Sequence, residues 1–265
     1  KPIAGAEINH VRDSSSHNEH ANLTLIAKNQ LGYKNLIKLI SKSQIVGKTS
    51  GIPVIETEWL DEHSDGLIAL SGGFRGHIGK AVLDTNHDLF LKRIKYFQKI
   101  FKEDFILEIS RINRPQEDLY NDYILSKAGE LGLPVVASNE VRFIDKEDYE
   151  AHETRVCIQK GEVLSDARRT RSYFEDQYLL SPEEMYEKFK DIPEVLSNAY
   201  ELGKKCNLEI ETGIYVLPDF KTPLNKSAAD HLIEISKNNL KEKTKDLSDD
   251  DKVKYAERLD FELDV

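Results

Sequence analysis

Two hydrophobic periods take turns along this chain. Short apolar runs at residues 3–8, 23–27, 67–70, 105–109 and 134–137 predict buried strands, since each is too short for a helix. Between them, Tyr33, Leu36, Ile37 and Ile40, and again Phe90, Ile94, Phe97 and Phe101, return at helical spacing with charges on the other positions. Apolar strands separated by helices predict an α/β fold on a mostly parallel sheet, either open and doubly wound or closed into a barrel. Residues 12–21 and 47–51 read as polar surface loops, and 166–171 as a basic connection. After about residue 192 the alternation stops. Residues 193–205 predict a helix, 215–223 a proline-containing exit, and 227 onward a charged helical segment in which 241–254 reads as a solvated face.

Composition narrows the class. With 265 residues, 39% of them hydrophobic, the chain can bury a core without disulfide staples. Cys157 and Cys206 lie far apart in no C-x-x-C spacing, which predicts reduced thiols and a cytoplasmic location. No apolar run reaches the ~20 residues of a membrane helix, and no signal pattern opens the chain, so neither a membrane nor an exported role is expected. A net charge of -10 argues against a surface given over wholly to nucleic acid. A local patch remains: Arg168, Arg169 and Arg171, followed by Tyr173 and Phe174, could meet a phosphate backbone. Trp59, the only Trp, is expected to pack under a helix. The chain starts at Lys1 without an initiator Met and ends within an apparent helix, so we read it as a fragment.

Several chemistries are absent from the sequence. There is no G-x-G-x-x-G, no Walker loop, no G-x-S-x-G and no H-E-x-x-H. Of eight histidines only His17 and His20 lie close together, in a polar stretch that favours solvated side chains over a metal pair. Acids near strand ends carry more. Glu7 closes the first predicted strand, Glu108 lies in the fourth and Glu140 follows the fifth, and in parallel α/β folds sites form at that edge. Three acids there could gather a divalent cation. Arg142, two residues after Glu140, has five donors and no acceptor, so it cannot be a ligand.

Ordered phrases spread over the chain carry a resemblance. They are Lys1-Pro-Ile-Ala-Gly-Ala-Glu-Ile8, Leu23-Thr-Leu-Ile-Ala-Lys-Asn-Gln-Leu-Gly-Tyr-Lys-Asn-Leu36 and Gly66-Leu-Ile-Ala-Leu-Ser-Gly-Gly73. Then come Gly132-Leu-Pro-Val-Val-Ala-Ser-Asn-Glu-Val-Arg-Phe-Ile144, Ala151-His-Glu-Thr-Arg-Val-Cys-Ile-Gln159 and Tyr215-Val-Leu-Pro218. In this order they resemble the polymerase-and-histidinol-phosphatase (PHP) domain of bacterial replicative family C DNA polymerases. The resemblance implies a PHP-type (β/α)7 barrel at residues 1–214, N-terminally truncated and lacking its first strands. It implies a mainly helical bridge at 215–265, including Tyr255-Ala-Glu-Arg-Leu259, into the polymerase palm domain. The opening His-x-His and Asp-His metal motifs would precede Lys1, and the palm acids that catalyse nucleotidyl transfer would follow Val265. A barrel missing strands would leave open edges, so an isolated piece is expected to aggregate or unfold in part.

In family members with a working metal site, the ligands carried by this portion fall on Glu7, Asn22, Gly73, Glu140 and Arg142. Two remain carboxylates. Asn22 offers only an amide in place of an imidazole, Gly73 has no side chain in place of a thiolate, and Arg142 puts a fixed cation where a neutral ligand belongs. The resemblance therefore implies no catalytic, cofactor or metal residue here, with Arg142 neutralising Glu7 and Glu140. His20, two residues before Asn22 on an extended strand, is the one candidate replacement ligand. It further implies a DNA-directed DNA polymerase parent with magnesium at its palm site. Implied partners are a proofreading exonuclease subunit, other replicase subunits including the sliding clamp, and template-primer DNA. The alternatives are an active metal-dependent phosphoesterase or 3′-5′ exonuclease, and a stand-alone binding module.

Overall fold

The computed structural model describes residues 1–11, 20–49, 51–166, 168–215, 220–223 and 226–265, with Lys48 and Thr49 as backbone only. The expectations for His17, for most of the 12–21 stretch and for Val216 to Pro218 lie outside the described residues.

The chain separates into two units, Lys1–Ile210 and Glu211–Val265. In the first, β1 (Gly5–Val11), β2 (His20–Ala27), α1 (Gln30–Ile45), β3 (Lys48–Thr49), β4 (Ile52–Pro53), β5 (Ile55–Glu56), α2 (Thr57–Glu62) and β6 (Leu67–Leu70) come in that order. They are followed by α3 (His77–Leu83), α4 (His87–Phe101), β7 (Phe105–Ser110), α5 (Glu117–Leu131), β8 (Val135–Ser138), α6 (Tyr149–Lys160), α7 (Pro182–Lys188) and α8 (Glu194–Lys205). The second unit holds α9 (Ala228–Lys243) and α10 (Asp249–Asp264), capped by Ser227 and Ser248 and joined by a Lys237 to Asp260 ion pair at 3.0 Å.

One sheet runs in the order β5-β1-β2-β6-β7-β8, and β3, inside the stretch read as a loop at 47–51, pairs with β4 just after it. The sheet is mixed. β2 is antiparallel to β1 and to β6, while β1 with β5, β6 with β7 and β7 with β8 are parallel. The prediction of a mostly parallel sheet therefore needs correcting at β2. Val11 and His20 are too close in sequence for the dozen-residue crossover that a parallel partner needs.

Helices cover both faces. Leu23, Leu25, Leu67, Ala69, Phe105, Leu107 and Ile109 point toward α1, α3, α4 and α5, whereas Ile68, Leu70, Ile106 and Val136 meet Leu202 and Cys206 at the end of α8. Because β6, β7 and β8 are apolar on both faces, they read as unbroken runs, and Leu67–Leu70 lies where the pattern puts it. Phe90, Ile94, Phe97 and Phe101 are all buried on α4, as their spacing predicts. Trp59 is buried with the Lys42 ammonium over its ring at 4.3 Å.

Two predicted elements shift. β1 starts later than residue 3 and runs on to Val11, and β2 starts at His20. In both, polar residues on one strand face hide the period that apolar runs reveal. The buried face of α1 is also rotated: Gly32, Leu36 and Leu39 face inward, while Ile37 and Ile40 are exposed. The cause is a close backbone approach, since a Cβ on Gly32 would lie 1.9 Å from the Gly66 carbonyl oxygen. Only glycine allows that contact, and it orients the helix.

Candidate functional site

Strand alternation gathers the polar residues. In β1 and β2, Ile8, Leu23 and Leu25 take one face, so Glu7, Asn22 and Thr24 take the other, which is the face of Ile106, Glu108 and Leu70. Glu7 sits within β1, opposite Thr24, and so does not close its strand. Glu7, Asn22, Thr24, Gly72, Arg75, Glu108 and Glu140 line a pocket of about 30 Å³. The three acids singled out in the sequence do converge.

Each acid is met differently. The Asn22 Nδ2 donates to Glu7 Oε1 at 2.5 Å across the antiparallel pair, and Arg142 Nη2 lies 3.4 Å from Glu7 Oε2. Glu140 is met by Arg114, whose Nη2 donates to Oε2 at 2.7 Å, with the Ser110 hydroxyl 3.4 Å from Oε1. Arg142 makes no bond to Glu140, which corrects the expectation that it neutralises both acids. The reason is register. β7 and β8 are parallel with Ser110 beside Ser138, so the residues that follow each strand end side by side, Arg114 from one and Glu140 from the other. The Arg114 guanidinium lies over the Phe74 ring at 4.8 Å and over the Phe174 ring at 5.6 Å. Sequence reading missed Arg114. The one signal was a basic residue just past a predicted strand.

Glu108 is the most enclosed. Burial pushes its carboxyl up to about 7; the Ser138 hydroxyl and the Gly72 backbone oppose this, while the charges of Glu140 and Glu7 add to it. Its backbone is fixed from both sides, with its N–H donating to Ser71 Oγ at 3.0 Å and its carbonyl accepting from Tyr120 Oη at 2.8 Å. Burial likewise raises Glu117, which accepts from Ser110 Oγ at 3.0 Å and from the Ile112 N–H at 2.8 Å.

The loop after β8 is held in an uncommon conformation. Glu140 has φ +45, in the left-handed region, at a cost of about 1–3 kcal/mol for a non-glycine residue. Gln177, fully buried, secures it: its Nε2 donates to the Glu140 carbonyl at 3.0 Å, and its own carbonyl accepts from the Arg142 N–H at 2.8 Å. Nothing in the sequence pattern pointed to Gln177.

Glu7 and Glu140 already accept from Asn22, Arg142 and Arg114, and Gly73 presents only the space of a Cβ, 4.0 Å from Glu108 Oε2. Among the described residues no group of three or more His, Cys, Asp and Glu is arranged to hold a metal. His20 shares the strand face of Asn22 but does not line the pocket.

The basic cluster is engaged within the chain. Arg169 Nη1 lies 2.5 Å from Glu153 Oε2, with side chains 4% and 0% exposed. Arg171 pairs with Glu150 at 3.2 Å and Arg168 with Asp166 at 2.8 Å. The three do not form one free cationic patch, because each faces a different local acid.

Residues 1–112 match the family model of the PHP domain. The chain is 43% identical over 271 residues to the DNA polymerase III subunit alpha of Vibrio cholerae serotype O1, and 41% over 271 residues to that of Escherichia coli strain K12. To that of Pseudomonas aeruginosa it is 40% identical over 272 residues. Each comparison takes in 100% of this chain and 23% of the relative, so the chain spans 23% of the length of these relatives. Among the described residues no helix is long and apolar enough to cross a membrane. The resemblance first carried by short ordered phrases thus extends across the whole chain, which is similar along its full length to DNA polymerase III alpha subunits, and residues 1–112 match the family model of the PHP domain.

Proposed function

We propose that this chain is the PHP portion of a cytoplasmic, template-directed replicative DNA polymerase, and that this portion works without metal as a scaffold. One observation carries the reading. In a pocket of about 30 Å³, room for little more than a water, the acids answer to Asn22, Arg114 and Arg142. The sheet and its helices would be part of a (β/α)7-type barrel spanning residues 1–214, with 215–265 leading into the palm domain. There, magnesium would support nucleotidyl transfer on template-primer DNA. The scaffold would present a docking surface to a proofreading exonuclease subunit, with the sliding clamp and other replicase subunits bound elsewhere on the full-length protein. Metal analysis of the full-length polymerase, with the palm acids removed by substitution, tests the reading. No stoichiometric zinc or manganese is expected, and one or more tightly held ions per chain would overturn it.

A second reading, an active metal-dependent phosphoesterase or 3′-5′ exonuclease, draws support from the convergence of Glu7, Glu108 and Glu140 and from a Glu108 carboxyl near 7, in the range of a general acid or base. Hydrolysis of a chromogenic phosphate ester that is lost in Glu7→Ala would favour it. Hydrolysis indifferent to chelator would count against it.

A further inference from the structure

A cleft of about 360 Å³ lies between α5 on one side and the end of α3 with the turn into α4 on the other. It shares no lining residue with the acid pocket. α5 contributes Leu119, Tyr123 and Lys127, which are spaced four residues apart and so form one stripe along the helix. The other wall includes Val82, Thr85 and His87.

These walls are held in place without a ligand. Thr85, a β-branched residue, has φ +50, and its turn is closed by the Thr85 N–H on the Val82 carbonyl and the Asn86 N–H on the Ala81 carbonyl, each at 2.9 Å. His87 Nδ1 and the Tyr123 hydroxyl are hydrogen-bonded at 2.7 Å, which ties the turn to α5. The Tyr123 ring also stands edge-on to Phe90 at 5.2 Å. Leu119 is more than half exposed, so the cleft carries apolar surface that the first unit leaves open to water.

Charge decides what suits that surface. Asp84 and Asp88 bracket the turn, and Asp118 and Asp122 adjoin Leu119 and Tyr123 on α5. All four are exposed, and none has an ion-pair partner among the described residues. The neighbouring cations are taken up within the chain: Lys127 by Glu130 at 2.7 Å, Lys80 by the His20 carbonyl at 2.6 Å, and Arg111 by both oxygens of Asp191. Acids left open around an apolar cleft attract a partner of the opposite sign and disfavour an acidic one.

We propose that this cleft docks a peptide segment of a partner protein, which inserts a large apolar side chain against Leu119, Tyr123 and Val82 and carries lysine or arginine on either side of it. Burial of the anchor supplies the affinity, and the flanking cations supply the choice of partner. On the scaffold reading, this is a place where a partner subunit is held.

The test is selection of random peptides displayed on phage against the full-length polymerase. Recovered peptides are then measured by fluorescence anisotropy on two variants, Leu119→Arg and Asp84→Lys combined with Asp122→Lys. All three positions are exposed, so both variants are expected to fold. Peptides with a large apolar residue flanked by lysine or arginine are expected, binding about tenfold or more weakly to either variant and less tightly as salt rises. A selection in which no peptide depends on Leu119 overturns the proposal, as does one whose Leu119-dependent peptides are neutral or acidic. Self-association of the polymerase that Leu119→Arg abolishes also overturns it, because the cleft would then belong to a second copy. Metal analysis reports on the acid pocket alone, so bound zinc would sink the scaffold reading and leave peptide affinities unmoved, whereas lost peptide binding in a metal-free protein would sink only this docking site.

Discussion

Arg114 Nη2 stands 2.7 Å from Glu140 Oε2, and the two side chains are 6% and 17% exposed, whereas the Arg142 and Glu7 pair is longer at 3.4 Å and 28% and 45% exposed. Of the two arginines that pair with the pocket's acids, Arg114 is therefore the enclosed one. Removing it would leave the Glu140 carboxylate desolvated with only a 3.4 Å contact to Ser110. Arg114→Ala is expected to destabilise β7 and β8 by about 3–5 kcal/mol. Replacing the pair together, as Arg114→Met with Glu140→Gln, should cost much less. Amide exchange of the two strands in the full-length protein measures both, and equal losses in the single and double variants would refute the pairing.

Glu108 makes stability depend on pH. Its folded-state value of about 7 stands above the ordinary 4.5, so the folded chain holds the proton more tightly than the unfolded one. That contribution is fully present below about pH 4.5 and is lost as pH rises through 7. At about 1.4 kcal/mol per unit, the loss amounts to roughly 3 kcal/mol. Glu108→Gln should flatten this slope between pH 5 and 8. A bound divalent cation would pull the carboxyl down instead, and the slope would vanish in the unaltered protein.

Placing at Asn22, Gly73 and Arg142 the ligand types that the PHP resemblance implies is expected to create a zinc site. The combined substitution Asn22→His, Gly73→Cys and Arg142→His puts two imidazoles and a thiolate beside Glu7 and Glu140. A Cβ at Gly73 meets nothing closer than 3.8 Å, though φ +54 there costs about 1–2 kcal/mol for a side chain. Elemental analysis should then find zinc in the variant and little in the parent protein. A variant that folds but takes up no zinc would argue that the pocket does not correspond to the metal site the resemblance implies.

Gly32→Ala tests the contact that turns α1. With only 1.9 Å between the new Cβ and the Gly66 carbonyl, backbone must move, and a loss of about 1–3 kcal/mol is expected despite alanine's better helix propensity. A stabilised variant in chemical denaturation would show that the approach is not rigid.

Arg168 and Arg169 are neighbours with opposite expectations. Arg169→Ala strands Glu153, whose Oε1 already lacks a partner, and should cost about 3–5 kcal/mol. Arg168→Ala removes a side chain that is 91% exposed and should stay within about 0.5 kcal/mol. Thermal unfolding of the two variants distinguishes them, and similar losses would mean the Arg169 pair is not buried in solution.

What the amino-acid order determined alone was whatever depends on near neighbours. The strand at Leu67–Leu70 and the buried stripe of α4 follow from periods a few residues long, and the likeness to DNA polymerase III alpha subunits follows from short phrases in sequence order. The convergence of Glu7, Glu108 and Glu140 was expected from the sequence for the wrong reason: only Glu140 follows a strand, while Glu7 and Glu108 lie within β1 and β7 and meet because they face the same side of the sheet. Tertiary structure decided which charge answers which. Arg114 and Glu140 are 26 residues apart, and Arg142 and Glu7 are 135 apart, so no local period links them. Strand register sets these partners, and register depends on every strand and helix packed between them.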